Sequence, residues 1–135
     1  GAAGGLGGGF LAFLNAELKP GVEMVLDIIN FRDLIEDADV VITGEGKLDR
    51  QTGMGKAPGG VLKVARKKNI PVIAIGGCTE DVEALNKMGF LAVLPIIPYP
   101  VSTDRAMNKE FTIKNITRTI EQQLRVINYF KTSKV

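Results

Sequence analysis

A chain of 135 residues, 45% hydrophobic and 24% charged, has the composition of an ordinary globular protein, long enough for one core and too short for two. Seventeen Lys and Arg against fifteen Asp and Glu leave a net charge of +2, interleaved along the chain, which argues against an extended phosphate-tracking surface and so against nucleic acid as a partner. Histidine is absent altogether, which removes Ser-His-Asp and Cys-His nucleophilic machinery and His-based zinc sites from this segment.

The chain opens on Gly1 with neither a basic flank nor an apolar stretch, so the expectation is a piece that begins inside a longer protein. The glycines at 1, 4, 5, 7, 8 and 9, followed by Phe10, Leu11, Phe13 and Leu14, predict a glycine-rich turn feeding a packed helix that ends before Pro20-Gly21. The apolar run Met24 to Ile29 reads as a short buried strand, and Asn30 as the cap of a helix through Asp37. Asp39 to Thr43, with Val40-Val41-Ile42 at its heart, predicts a central strand buried on both faces that stops at Gly44, followed by a loop to about Lys56.

Pro58 suits the first turn of a helix in which Val61, Leu62 and Ala65 share a face, ended by Asn69 and Pro71. Val72 to Ile75 is a second buried strand ending in Gly76-Gly77, with Thr79, Glu80 and Asp81 starting a helix through Met88. Leu91 to Pro95 is a third strand. Beyond Pro98 and Pro100 a long helix carries Ile113, Ile116, Ile120, Leu124 and Ile127 as a core stripe. Strands alternating with helices predict one α/β domain over residues 1–135, a three-layer sandwich with a mainly parallel sheet, Rossmann- or flavodoxin-like. The apolar runs are far shorter than a bilayer requires, so no membrane partner is expected. The lone Cys78 cannot form an internal disulfide, which fits a reducing cytoplasm.

In an open parallel sheet the ligand crevice lies beyond the carboxyl ends of the strands. The stretch from Thr43 to Lys56 stands there, with four glycines, two carboxylates, three cations and two small hydroxyl residues. Glycines let the backbone approach phosphate oxygens, cations neutralise transferring charge, and one or two carboxylates are the usual protein share of Mg²⁺ ligation. Asp49 and Glu45 are thus metal or base candidates, and Lys56 would add its charge to the field at the start of the helix opened by Pro58. A solvated turn of mixed charge explains the same composition.

Gly55-Lys56 fails the P-loop pattern, with Arg50 where the first Gly belongs and Ala57 after the Lys. Gly7-x-Gly9-x-x-Ala12 mimics the dinucleotide fingerprint loosely, without a preceding strand. Gly76-Gly77-Cys78-Thr79 is a second turn at the same edge, able to offer N–H groups or to be no more than a turn, with Cys78 read as a small buried residue. Tyr99, between Pro98 and Pro100, reads as part of an ordered surface turn.

Taken together, Asp39-Val40-Val41-Ile42-Thr43-Gly44-Glu45-Gly46, Asp49, Gln51-Thr52 and Gly55-Lys56-Ala57-Pro58 to Gly60-Val61 resemble the signature segment of the bacterial-type glycerate kinases. Gly1-Ala2-Ala3-Gly4-Gly5-Leu6-Gly7, Leu18-Lys19-Pro20-Gly21, Val25-Leu26-Asp27 and Pro71-Val72-Ile73-Ala74 agree in order, so the similarity covers nearly the whole chain. The resemblance implies ATP-dependent phosphorylation of D-glycerate with Mg²⁺ by a protein of two α/β domains. This chain would be the carboxy-terminal portion, its partner the missing amino-terminal part, and the piece alone inactive; a homodimer is compatible with it. By the same resemblance Asp49 activates the glycerate hydroxyl or holds Mg²⁺, Glu45 joins the metal shell, and Lys56 steadies the transferring phosphate. Gly44, Gly46, Gln51 and Thr52 shape the pocket and contact phosphate or the glycerate carboxylate, while Lys47 and Arg50 have open roles. The alternative is a non-catalytic nucleotide- or ligand-binding α/β module.

Overall fold

In the computed structural model three strands, β1 (Val41–Leu48), β2 (Val72–Thr79) and β3 (Ala92–Pro95), lie side by side in the order β1-β2-β3, all parallel. The structure describes residues 5–14 and 17–132, so Gly1 and Gly4 of the opening glycine run lie outside the described residues. Helix α4 (Ala57–Arg66) joins β1 to β2 and α5 (Val82–Met88) joins β2 to β3. Two right-handed crossovers stepping the same way along a sheet put both helices on one face. There Leu62 and Ala65 of α4 and Leu85 of α5 close over Val41, Val72, Ala74 and Val93 to form the buried core. The opposite layer is α6 (Thr103–Ala106) and α7 (Lys109–Thr132), with Phe111 and Asn115 as its buried residues. An ion pair from Lys131 to Asp39 at 2.7 Å ties the far end of α7 to the start of β1.

The remaining helices are α1 (Leu6–Leu14), α2 (Gly21–Ile28) and α3 (Phe31–Leu34). The segment expected as a strand from Met24 to Ile29 is therefore largely helix α2. A short apolar run fits either period, and Val22 with Leu26 completes the helical one. Val22 presses on Gly60 of α4, where any Cβ would fall 2.5 Å from its methyl, and Glu23 takes a 2.6 Å bond from Lys63. Helix α1 includes Gly7 to Gly9 and buries no residue, so it is neither fed by a turn there nor packed as expected, and the loose dinucleotide pattern has no strand-to-helix turn. Asn30 and Asp81 sit ahead of α3 and α5 with φ of 49° and 51° and make no side-chain cap, so the caps expected at Asn30 and from Thr79 to Asp81 are absent.

Four further expectations are corrected. β1 does not stop at Gly44 but runs through Glu45, Gly46 and Lys47 to Leu48, because β2 likewise continues through Gly76 and Gly77 to Thr79 and supplies a ladder. Among the described residues β1 is an edge strand and β2 the central one, and Ile42 and Thr43 are only half-buried. Cys78 is exposed, not buried. On α7, Ile113 is 53% and Leu124 46% exposed while Ile116, Ile120 and Ile127 are half-buried, so the expected core stripe is only partly covered among the described residues. Tyr99 is exposed and meets the edge of Phe111 at 6.3 Å, in keeping with a surface turn.

The seat of α4 gives a test. A Cβ on Gly59 would lie 2.6 Å from the Thr52 carbonyl oxygen and 2.9 Å from Gly53 Cα, both backbone, whereas one on Gly21 meets nothing within 4 Å. Gly59→Ala should destabilise by about 1–3 kcal/mol despite the helix propensity it gains. Gly21→Ala should leave the urea midpoint unchanged or higher. Equal midpoints for the two variants would contradict this packing.

Candidate functional site

The carboxyl end of β1 leads into a 3₁₀ turn, Arg50–Gly53, and then into α4, and this unit gathers four of the predicted residues. Asp49 caps the turn: its Oδ1 accepts from the Gln51 N–H at 2.9 Å, and Thr52 answers by accepting the Asp49 N–H on its hydroxyl at 3.0 Å. A reciprocal cap of this kind satisfies donors that a short turn leaves open. The Thr52 hydroxyl then donates to Glu45 Oε1 at 2.6 Å, fixing the strand's carboxylate to the turn. Thr52 is fully buried, so a hydroxyl without both partners would be costly there.

Lys56, at the cap position of α4, reaches back between the two carboxylates, 3.5 Å from Asp49 Oδ1 and 3.7 Å from Glu45 Oε1. All three side chains are partly shielded, Asp49 and Glu45 at 20% and 21% exposed. Burial pushes the Asp49 carboxyl up, but the Gln51 amide and the Lys56 ammonium outweigh it and hold the group below the usual carboxylate range. Two exposed ion pairs ring the cluster, Lys47 with Glu80 at 3.0 Å and Arg50 with Asp81 at 3.2 Å. The Glu80 hydrogen bond pushes Lys47 up.

The remaining predicted residues divide. Gly44 is demanded by packing, since a Cβ would lie 2.6 Å from the Ile75 carbonyl oxygen, whereas Gly46 faces open space and could admit a ligand. Gln51 contributes its backbone N–H, and its exposed side chain joins no hydrogen bond in the cluster. Among the described residues no three His, Cys, Asp or Glu form a preformed metal cage. The protein's own bonds go to Asp49 Oδ1 and Glu45 Oε1, leaving Oδ2 and Oε2 for a ligand. Two carboxylates with spare oxygens suit a magnesium ion that takes its other ligands from phosphates and water.

On the opposite face of the sheet a cavity of about 790 Å³ runs from Glu45 and the Gly76-Gly77 backbone to α6 and α7. Its walls at Ile96, Met107, Phe111 and Asn115 lie outside the loop that sequence reasoning singled out. The available signal was Asn115 one turn after Phe111, a polar residue on the inward face of an amphipathic helix.

The model of the glycerate kinase family matches residues 1–128. A glycerate kinase of Halalkalibacterium halodurans is 51% identical over 110 residues, covering 81% of this chain and 29% of the relative. A glycerate 2-kinase of Escherichia coli is 45% identical over 107 residues, covering 78% and 28%. A crystal structure of a Salmonella typhimurium LT2 protein assigned as a glycerate kinase 2 superposes with a TM-score of 0.63 at 34% identity, covering 95% of this chain and 32% of that one. The chain thus spans under a third of the length of the curated relatives it matches.

Two tests follow from the geometry. Thr52→Val strands the Asp49 N–H and Glu45 Oε1 together and should cost about 1–3 kcal/mol in urea denaturation, with Thr52→Ser recovering most of it. Because the folded Asp49 pKa is depressed from 3.8, its ionic contribution is fully present above that value and fades as pH falls through the lower folded one. The stability gap between wild type and Asp49→Asn should therefore be flat above about pH 5 and shrink below pH 3.8.

Proposed function

The chain belongs to the glycerate kinase family, and from that premise we propose that its β1–α4 unit forms part of a site where the γ-phosphoryl group of ATP passes to a hydroxyl of D-glycerate. The observation that carries this reading is the cluster of Glu45, Asp49, Thr52 and Lys56, in which an ammonium lies against two carboxylates at the end of a parallel strand. Phosphoryl transfer asks mainly for positioning and charge neutralisation.

Asp49 stays ionised at neutral pH, and its Oδ2 offers two lone-pair directions. One accepts the glycerate hydroxyl, so that as the oxygen bonds to the γ-phosphorus and the bond to the bridging oxygen breaks, the proton passes to the carboxylate and ADP leaves. Lys56 offers its ammonium to the transferring oxygens, reinforced by the N-terminal field of α4. Glu45 Oε2 is the atom that would hold Mg²⁺, with Asp49 Oδ2 its alternative ligand where that oxygen is not the proton acceptor, and the ion when bound supplies neutralisation of the triphosphate charge. Thr52 keeps the two carboxylates in register, and Gly46 gives the substrate bare backbone. The parallel strands ending at this point are in keeping with a Rossmann-like nucleotide-binding architecture. The longer relatives imply that the rest of the protein supplies the remainder of the site, so this chain alone is expected to lack turnover.

In the whole protein, Asp49→Asn should lower D-glycerate-dependent ADP release by roughly 10²–10⁴-fold in a coupled assay with no-acceptor and L-glycerate controls. Its melting temperature should fall only slightly, by the part that the Lys56 ion pair contributes, because Asn caps a turn as well as Asp. Near-normal turnover in that variant would remove Asp49 from the chemistry.

A further inference from the structure

The segment that carries Asp49 is fastened to the junction of β2 and α5 on both sides of that residue. The Glu80 N–H donates to the Leu48 carbonyl at 2.8 Å, the Glu80 carboxylate pairs with Lys47 at 3.0 Å, and Asp81 pairs with the Arg50 guanidinium at 3.2 Å. Asp49 itself is left to Gln51 and Lys56. Asp81 takes an uncommon backbone in this arrangement. It stands at the cap position of α5, where an aspartate ordinarily has extended backbone and accepts an N–H of the first turn. Here φ is 51° and ψ 41°, in the left-handed region, and the carboxylate makes no cap and goes to Arg50 instead. Aspartate tolerates that region better than most residues, yet it is unfavourable, and such residues gather at sites whose surroundings impose them. Stability does not account for the arrangement, because all four charged side chains are more than a third exposed and solvated pairs contribute little.

Resting on the kinase reading, we propose that Glu80 and Asp81 are positioning residues for the transfer, a clamp that holds the Asp49 segment in place against β2 through Lys47, Leu48 and Arg50. The bonds of Thr52 run to Asp49 and Glu45, so they shape the turn internally and leave its place relative to the next strand to other contacts. Glu80 and Asp81 supply such contacts from outside the turn. Asp49 must meet a hydroxyl and a phosphorus at once, and a displacement of about 1 Å can cost up to roughly 10²-fold in rate. Ion pairs that add little to stability can therefore matter to turnover, because they select one placement of a turn that is folded in either case.

The test uses the whole protein and the double variant Glu80→Gln/Asp81→Asn, with Arg50→Gln and Arg50→Lys beside it. Asn accepts the left-handed backbone as Asp does, and Gln keeps the N–H to Leu48, so the double variant removes charge alone. Steady-state kinetics with ATP and D-glycerate, thermal melts and amide hydrogen exchange are measured on each. The double variant should lose roughly tenfold in kcat, with both KM values within about twofold of wild type and the melt nearly unchanged. The amides of Asp49, Gln51 and Thr52 should exchange roughly threefold or more faster, while those of Leu62 to Ala65 in α4 keep their rates. Arg50→Gln should show part of the same loss, and Arg50→Lys, which can still pair with Asp81, should recover most of it. A double variant with wild-type kcat overturns the clamp, as does one whose kcat falls while the exchange at Asp49, Gln51 and Thr52 stands. So does a fall in kcat matched by a general fall in melting temperature, or an Arg50→Lys variant as slow as Arg50→Gln. Wild-type protein without glycerate turnover overturns the kinase reading, and the exchange rates then decide the clamp by themselves.

Discussion

The hydroxyl of Thr52 is the joint on which the candidate site turns. It receives the Asp49 N–H and gives its proton to Glu45, so one buried oxygen locks a turn to the end of a strand. Without that lock Glu45 and Asp49 would be two carboxylates on independent segments, free to move apart under their mutual repulsion. With it they share one face, and Lys56 comes between them from the start of α4. The placement of α4 rests on the same turn, because Gly59 touches the backbone of Thr52 and Gly53 too closely for any side chain.

The electrostatics of the cluster differ from those of the ion pairs around it. Lys47 with Glu80 and Arg50 with Asp81 are solvated and contribute little to stability, as exposed pairs do. The inner trio is partly shielded and held by hydrogen bonds as well as charge, which is why Asp49 remains ionised although burial acts against it. A group held ionised, with one oxygen committed to the fold and the other free, is organised before any ligand arrives.

The two faces of the sheet are used differently. Toward α4 and α5 the strand residues meet a close-packed aliphatic core, whereas toward α7 the contact is sparse and leaves a cavity under the strand ends. Glycines at the carboxyl ends of β1 and β2 make this arrangement feasible. At Gly44 the neighbouring backbone is too near for a Cβ, and across Gly46 and Gly77 the two strands approach with no side chain between them. The strands can therefore stay paired past the point where their apolar runs end, and they carry Glu45 out to the edge where the turn begins.

Much of this was legible in the residues themselves. The β-branched runs at Val41-Ile42 and Val72-Ile73, each followed by a helix with a clear apolar face, determined a parallel α/β arrangement, since both the strand period and the crossover rule are local in origin. The clustering of Glu45, Asp49, Thr52 and Lys56 within one short stretch likewise marked the candidate site. Only the tertiary structure decided that Gly44 to Leu48 is strand and not loop, because a ladder partner across Gly76-Gly77 is a non-local fact. It alone decided that Met24 to Ile28 is helical, where contact with Gly60 of α4 selects one period over the other. The same holds for Asn115: its spacing from Phe111 could be read along the chain, but its burial beside a cavity depends on where α7 crosses the sheet, and that position comes from packing between distant segments.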